Sequence, residues 1–156
     1  MTIDDVRAYL AQFGAADRVM EFDVSSATVE LAARALQCDP ARIAKTLSFM
    51  AGDRPLFIVM AGDARIDNPK YKHLFGAKAR MMDADTLVSL TGLHFGGVCP
   101  FGVADKVEVW LDDSLRRFTT VYPACGTSNS AIEVTLPELE RFSRARGWVD
   151  VGKLPV

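Results

Sequence analysis

Apolar residues recur at helical spacing in several segments of this chain. The pattern predicts helices over residues 3–13, 68–75 and 83–91, one that starts in the turn at 23–26 and ends near 38, and one from 135 to a stop at Gly147. Thr2 and Thr135 are each followed three residues later by an acidic side chain, a typical helix-capping pattern. Four predicted helices are followed by a glycine, the residue that most often closes a helix: Gly14, Gly76, Gly92 and Gly147.

Alternating or continuous apolar runs predict the strands. They cover residues 19–22, 45–50, 56–61, 107–111, 119–122 and 131–135. Residues 45–50 and 56–61 are joined by a turn at 53–55 and predict an antiparallel pair. Asp39 and Pro40 predict a short helical turn just before it. Strands outnumber long helices, which indicates the α+β class: a curved, largely antiparallel, barrel-like sheet with helices around it.

The composition fits one compact globular domain over residues 1–156, with no repeat or linker. Of the 156 residues 49% are apolar and 24% are charged, and the net charge is −2. Any RNA contact must therefore come from a local basic patch. The chain shows neither a signal sequence nor an apolar run long enough to span a membrane, so we expect a cytoplasmic protein without membrane association. Its three separated cysteines predict neither a disulfide framework nor a zinc site.

Lys45 is the first candidate for chemistry, because it stands among apolar residues where a helical turn meets a predicted buried strand. It either extends to the surface from the start of the strand or points into a cavity. In a cavity, its compact positive charge could hold a phosphate or a carbonyl oxygen.

Two loops could line a pocket. In residues 96–102, glycines allow the backbone to approach a ligand and to direct N–H groups at a developing oxyanion, although a tight helix–strand connection needs the same residues. Residues 125–130 hold several hydroxyl and amide side chains, which suit either a polar pocket or an ordinary turn.

A group of basic residues lies between positions 65 and 80. Such a patch could contact RNA phosphates, with Tyr71 available for stacking, or could form a solvated helix face. Its members are Arg65, Lys70, Lys72, Lys78 and Arg80.

Two other groups of side chains contain residue types that can carry chemistry. Cys99 with His94 could form a thiol nucleophile and its base, but no third residue that would orient the histidine is evident. Asp63, Asp67 and His73 match no known spacing of metal ligands, so no metal site is predicted.

Together these motifs resemble the YbaK/EbsC family of aminoacyl-tRNA deacylases. Residues 41–47 are similar to the lysine-bearing signature of that family, and residues 96–102 to its Gly-x-x-x-Pro loop, here Gly96 or Gly97 with Pro100. The order of elements also matches, from residues 22–28 to the closing helix at 136–142. The same domain is the editing insertion of bacterial prolyl-tRNA synthetases and occurs as free-standing ProXp deacylases.

The resemblance implies the YbaK/prolyl-tRNA synthetase-associated domain fold and hydrolysis of the ester between an amino acid and the terminal ribose of a tRNA. It implies no metal and no organic cofactor, and a role for Lys45 in holding the substrate rather than as nucleophile. Residues 126–130 replace a Gly-Lys-Arg-Gly-type stretch of YbaK, which points to another subgroup with a different small amino acid as substrate.

The predicted function is therefore trans-editing of a mischarged tRNA, with tRNA-Pro carrying a small non-cognate amino acid as the favoured substrate and prolyl-tRNA synthetase as a possible partner. The alternatives are a non-catalytic module that binds aminoacyl-tRNA or a synthetase, and a hydrolase that uses Cys99. Lys45 and Gly97 are the predicted catalytic positions. The predicted substrate-binding positions are Phe22, Thr28, Thr46, Gly96, Pro100, Ser128, Asn129 and Ser130. The basic residues at 65–80 are the predicted RNA contacts.

Overall fold

The structure is a computed structural model that describes residues 1–155. The helices are α1 (Ile3–Ala11), α2 (Val29–Leu36), α3 (Asn68–Phe75), α4 (Ala84–Thr91) and α5 (Leu136–Ser143). The strands are β1 (Met20–Glu21), β2 (Ile43–Ala51), β3 (Arg54–Ala61), β4 (Arg65–Ile66), β5 (Glu108–Asp112), β6 (Thr120–Pro123), β7 (Ser130–Ala131), β8 (Val134–Thr135), β9 (Gly147–Val149) and β10 (Gly152–Lys153). Short 3₁₀ turns cover Ala16–Arg18, Pro40–Arg42 and Asp113–Arg117.

The main sheet has the strand order β8-β6-β2-β3-β5-β9 and is curled into a half-barrel, which confirms the predicted α+β class. Among the described residues the main sheet has two antiparallel pairings, β2–β3 and β6–β8, and three parallel ones, β2–β6, β3–β5 and β5–β9. It is therefore a mixed sheet rather than the predicted largely antiparallel one, and the separate two-stranded ribbons β1–β7 and β4–β10 are antiparallel. The parallel pairs join strands that are distant in the chain. A long connection separates β3 from β5 and carries α3 and α4, as parallel neighbours require.

β2 and β3 form the predicted antiparallel hairpin, in register from Ala44 opposite Ala61 to Ala51 opposite Arg54. The turn is two residues long, and Gly52 has a φ of +64° there. Arg54 and Pro55, predicted to lie in the turn, are the first residues of β3. The remaining side chains of β3 are almost completely buried, so this strand lies at the centre of the core.

α2 begins later than predicted. Residues 23–26 do not start the helix, because Phe22 N–H donates to Asn129 O at 2.8 Å and Ser26 N–H donates to Ser128 O at 2.6 Å. These bonds tie the segment to the residues just before β7. Thr28 caps the helix instead, accepting a hydrogen bond from Leu31 N–H.

The predicted strand at 131–135 is two strands. Ala131 of β7 lies opposite Met20, and Val134 of β8 lies opposite Val121, so the chain changes partner between them. The two end helices are shorter than predicted. α1 ends at Ala11, and α5 ends at Ser143, where Arg144 adopts a φ of +53°.

The outer edge of β2 has different neighbours at its two ends. Ile43 and Ala44 pair with β6, while Phe49 forms a bridge with Met81. Met82 N–H donates to Ser48 O, and Met50 N–H donates to the carbonyl of residue 80. Within residues 1–155 no strand covers this edge between these two contacts, and a cavity opens at the gap.

Candidate active site

The cavity at the open edge of β2 has a volume of about 300 Å³. Its walls come from the segment before α2, from β2, from the loop after α4 and from the ends of β6 and β7. The lining residues are Ser26, Ala27, Thr28, Val29, Ala32, Ile43, Ala44, Lys45, Thr46, Leu47, Ser48, Met81, Phe95, Gly96, Val98, Tyr122, Ala124, Ser130 and Ala131. None of them is acidic and none is a histidine, and Lys45 carries the only charge among these lining residues of the described chain.

The Lys45 side chain is half-buried and lies at the cavity, which selects the second of its two predicted placements. Its ammonium group donates to the carbonyl oxygens of Gly62 (3.2 Å) and Ala64. The hairpin explains this contact, because Lys45 lies opposite Met60 and the chain turns just after β3. Burial lowers the pKa of Lys45, and the negative charge of Asp63 partly opposes this effect.

Asp63 is not free to neutralise Lys45 fully. Both of its carboxylate oxygens accept hydrogen bonds from Arg117, at 3.0 and 2.6 Å. This contact also lowers the pKa of the Asp63 carboxyl group. The Lys45 ammonium group is therefore held by neutral carbonyl oxygens, and much of its charge remains available to a ligand in the cavity.

Three buried hydroxyl groups in the cavity wall have no hydrogen-bond partner. The part of the chain that the structure describes contains four such side-chain atoms, and those of Ser26, Thr46 and Ser48 belong to residues that line the cavity. A buried polar group without a partner costs roughly 1–3 kcal/mol. A bound ligand that supplied the missing partner would offset this cost, which favours a polar ligand in the cavity.

The backbone of Thr46 adds to this polar wall. In a strand, residues two apart direct their backbone groups to the same edge. Ser48 and Met50 direct theirs to the outer edge, where they bond to residues 80–82. Thr46 N–H and C=O therefore face the gap as well.

Only part of the predicted glycine loop lines the cavity, and the rest is buried in the protein interior. Gly96 lines the cavity with a φ of +91°, and a Cβ atom there would lie 3.2 Å from the Cβ of Ala27. Gly97 is buried and its backbone packs on Thr127, where an added Cβ would come within 2.9 Å of the backbone. Gly97 N–H donates to His94 O at 3.1 Å, so it is not free to stabilise an oxyanion. Pro100 is also buried and lies outside the lining.

Residues 128–130 mostly support the wall. Ser130 lines the cavity, but its hydroxyl is bonded to Thr127 Oγ1 at 2.7 Å and to Cys125 N–H at 3.3 Å. Asn129 Nδ2 donates to Phe22 O at 3.1 Å. Phe22, Ser128 and Asn129 thus hold the segment before α2 in place rather than line the cavity. Of the predicted substrate-binding positions, Thr28, Thr46, Gly96 and Ser130 meet there.

Cys99 is fully buried outside the cavity lining. Burial raises the pKa of its thiol to about 12, and its Sγ contacts Phe101 O at 3.8 Å. His94 is exposed. A buried, protonated thiol is a poor nucleophile, so this geometry does not favour the thiol hypothesis.

The basic residues at 65–80 differ in their contacts. Lys70 donates to Asp150 at 2.9 Å and to Gly152 O at 3.0 Å. Arg65 is exposed and lies directly opposite Lys153 in the β4–β10 ribbon. Within residues 1–155, four of the five predicted RNA contacts form no salt bridge, namely Arg65, Lys72, Lys78 and Arg80.

Sequence reasoning missed Ser26, Ser48, Met81 and Phe95. Ser48 could have been found, because it stands two residues after Thr46 on a predicted strand and so shares its edge. Ser26, Met81 and Phe95 reach the cavity only through tertiary contacts, and their local sequence carries no signal for it.

Comparison with known proteins identifies the family of this chain. The sequence matches the aminoacyl-tRNA editing domain over residues 23–142, and the chain belongs to that family. The uncharacterized protein YwhH of Bacillus subtilis is 51% identical over 98% of both chains. The proline–tRNA ligase of Lactobacillus gasseri is 35% identical over 80% of this chain but only 22% of the ligase.

A solved structure gives the same fold. It belongs to a protein described as a proposed trans-editing enzyme for prolyl-tRNA synthetase, with a TM-score of 0.87 and 27% identity over 97% of this chain and 96% of that one. The predicted YbaK-type fold is thus confirmed. None of the helices in residues 1–155 is both long and apolar enough to span a membrane.

Proposed function

We propose that this protein hydrolyses the ester that joins a small amino acid to the 3′-terminal ribose of a mischarged tRNA. The observation that carries the proposal is the set of three unpartnered hydroxyls beside Lys45 in one cavity of a chain from the editing family. The cavity volume, about 300 Å³, is at the lower end of the range for ligand pockets and favours a small amino acid. The proline–tRNA ligase relatives and the trans-editing neighbour favour tRNA-Pro as the RNA and prolyl-tRNA synthetase as a partner.

In the proposed complex the aminoacyl group enters the cavity. The hydroxyls of Ser26, Thr46 and Ser48 and the carbonyl oxygen of Thr46 offer hydrogen bonds to its polar atoms, including the α-ammonium group. The Lys45 ammonium group stabilises negative charge on the ester carbonyl or on the adjacent phosphate.

A water molecule then adds to the ester carbon, and the bond between this carbon and the ribose oxygen breaks. The ribose oxygen takes up a proton, so that free amino acid and an uncharged tRNA leave. No carboxylate or imidazole lines the cavity within the described residues. The neighbouring ribose hydroxyl of the substrate is therefore the proposed proton relay: it accepts a proton from the attacking water as it passes its own proton to the departing ribose oxygen.

The decisive experiment measures ester loss from a panel of tRNAs, each charged with a cognate or a non-cognate amino acid. Hydrolysis of a mischarged tRNA-Pro, abolished in Lys45→Ala, is the expected result. Cys99→Ser should retain most of the activity, since the thiol lies outside the cavity. Binding of tRNA without any ester loss would contradict the proposal and would indicate a non-catalytic binding module.

A further inference from the structure

Two large apolar side chains are half-exposed at the cavity. Phe95 is 50% and Met81 is 49% exposed, and both line the cavity. Other large apolar side chains with comparable exposure, such as Leu74 at 48%, lie outside the lining. An aromatic face that is open to solvent beside a binding cavity can stack on a nucleotide base.

The backbone under both side chains is held in place. The hydrogen bonds of residues 80 and 82 to β2 flank Met81. Phe95 lies inside the turn that the bond from Gly97 N–H to His94 O closes, and the following Gly96 packs on Ala27. The positions are thus defined by the fold, although the two side chains themselves remain partly open to solvent.

The proposed function determines what meets this surface. The ester bond joins the amino acid directly to the ribose of the terminal adenosine. With the aminoacyl group inside the cavity, the ribose lies at its opening and the adenine lies over the exposed part of the lining, where Phe95 and Met81 are the large apolar side chains. We propose that Phe95 stacks on the terminal adenine of the tRNA, with Met81 completing the apolar contact.

This inference rests on the proposed function and assigns a specific role to one residue of its site. Base stacking on an aromatic side chain depends little on the identity of the base, and every tRNA ends in adenosine. The contact therefore contributes binding free energy to all tRNAs alike and does not select tRNA-Pro. Selection must come from the amino acid in the cavity and from RNA contacts further away.

The test uses an uncharged RNA acceptor-stem helix with 2-aminopurine in place of its terminal adenine, so that binding is measured without any deacylation. Wild-type protein should quench the fluorescence of this base on binding, as stacking does. Phe95→Ala should lose the quench and bind about tenfold more weakly, while Phe95→Tyr should behave as wild type. Leu74→Ala removes an equally exposed side chain away from the cavity and should change nothing.

Phe95→Leu distinguishes stacking on the aromatic ring from a non-specific apolar contact with the base, because leucine is apolar but has no ring. It should behave like Phe95→Ala. Unchanged quenching by Phe95→Ala, wild-type behaviour of Phe95→Leu, or no quench with the wild-type protein would each overturn the proposal.

A kinetic experiment adds an independent readout. For an aminoacyl-adenosine, Phe95→Ala should raise KM about tenfold with little change in kcat. For a methyl ester of the same amino acid, which has no base, the variant should match the wild type. A protein that quenches 2-aminopurine but hydrolyses no ester would refute the proposed function and leave the stacking role standing.

Discussion

Replacing Thr46 by valine removes one oxygen atom from the cavity wall and leaves the shape of the side chain almost unchanged. In the free protein this oxygen is buried without a hydrogen-bond partner, at a cost of roughly 1–3 kcal/mol. Valine also suits a strand at least as well as threonine. We expect Thr46→Val to raise the free energy of unfolding by about 1 kcal/mol, which raises the melting temperature by about 2–4 °C.

The same substitution should weaken catalysis. A lost hydrogen bond to the aminoacyl group is worth about 0.5–1.5 kcal/mol, so kcat/KM for the mischarged tRNA should fall about two- to tenfold. Calorimetry gives the stability change, and the rate of ester loss gives the catalytic change. Both come from one protein preparation.

Thr91 supplies the matched control, because its hydroxyl is bonded. It donates to Leu87 O at 2.7 Å and accepts from Leu93 N–H at 3.2 Å, and it does not line the cavity. Thr91→Val should therefore lower the free energy of unfolding by about 1 kcal/mol and leave kcat/KM unchanged. If Thr46→Val also melted at a lower temperature, or kept the full kcat/KM, the assignment of its hydroxyl to substrate binding would be refuted.

Three other predictions concern residues that the sequence had singled out. Burial lowers the pKa of Lys45, so between this lowered pKa and its usual 10.5 the unfolded chain binds more protons than the folded one. The free energy of unfolding should therefore rise with pH in this interval while deacylation falls; Lys45→Met should remove this part of the pH dependence of stability and, like Lys45→Ala, abolish deacylation. Gly97→Ala places a Cβ 2.9 Å from the Thr127 backbone and should destabilise the fold by roughly 1–3 kcal/mol; Gly147→Ala, whose Cβ would meet Trp110 at an ordinary 3.5 Å, should melt close to wild type. Changing Arg65, Lys72 and Arg80 together to glutamine should reduce the salt dependence of tRNA binding by about one unit of slope per lost phosphate contact, while hydrolysis of an aminoacyl-adenosine should not change. Lys70→Gln is the control and should leave the slope unchanged, because Asp150 already binds the Lys70 ammonium group. An unaltered slope in the triple variant would assign its three residues to a solvated face.

The elements that sequence reasoning predicted well are those defined by local chemistry. The caps at Thr2 and Thr135 form as predicted, since each hydroxyl accepts a hydrogen bond from a backbone N–H three residues later. The β2–β3 hairpin depends on two adjacent apolar runs and a two-residue turn, which are also local. By contrast β9, at Gly147–Val149, is a strand only because β5 lies beside it, and its sequence alone gives no strand signal.

The residues of the candidate site were likewise predictable only where their local sequence is unusual. Lys45 and Gly96 were found because lysine among apolar residues and glycine in a loop are unusual locally. Gly97 was predicted to contact the substrate, but its place against Thr127 depends on a segment thirty residues away in the chain. Ser26 and Ser48 are ordinary serines in the sequence. Only the tertiary structure shows that their hydroxyls are buried without partners.

The cavity is completed late in the synthesis of the chain, because one part of its wall is held by residues far along the sequence. The segment from Phe22 to Ser26 is held by backbone bonds to Ser128 and Asn129, more than a hundred positions later. Contacts of such long sequence separation form slowly and only after much of the chain is present. Lys45 and β2 therefore leave the ribosome long before the pocket around them exists. A nascent chain that ends before Ser128 therefore carries the lysine without the contacts that hold one wall of the cavity in place.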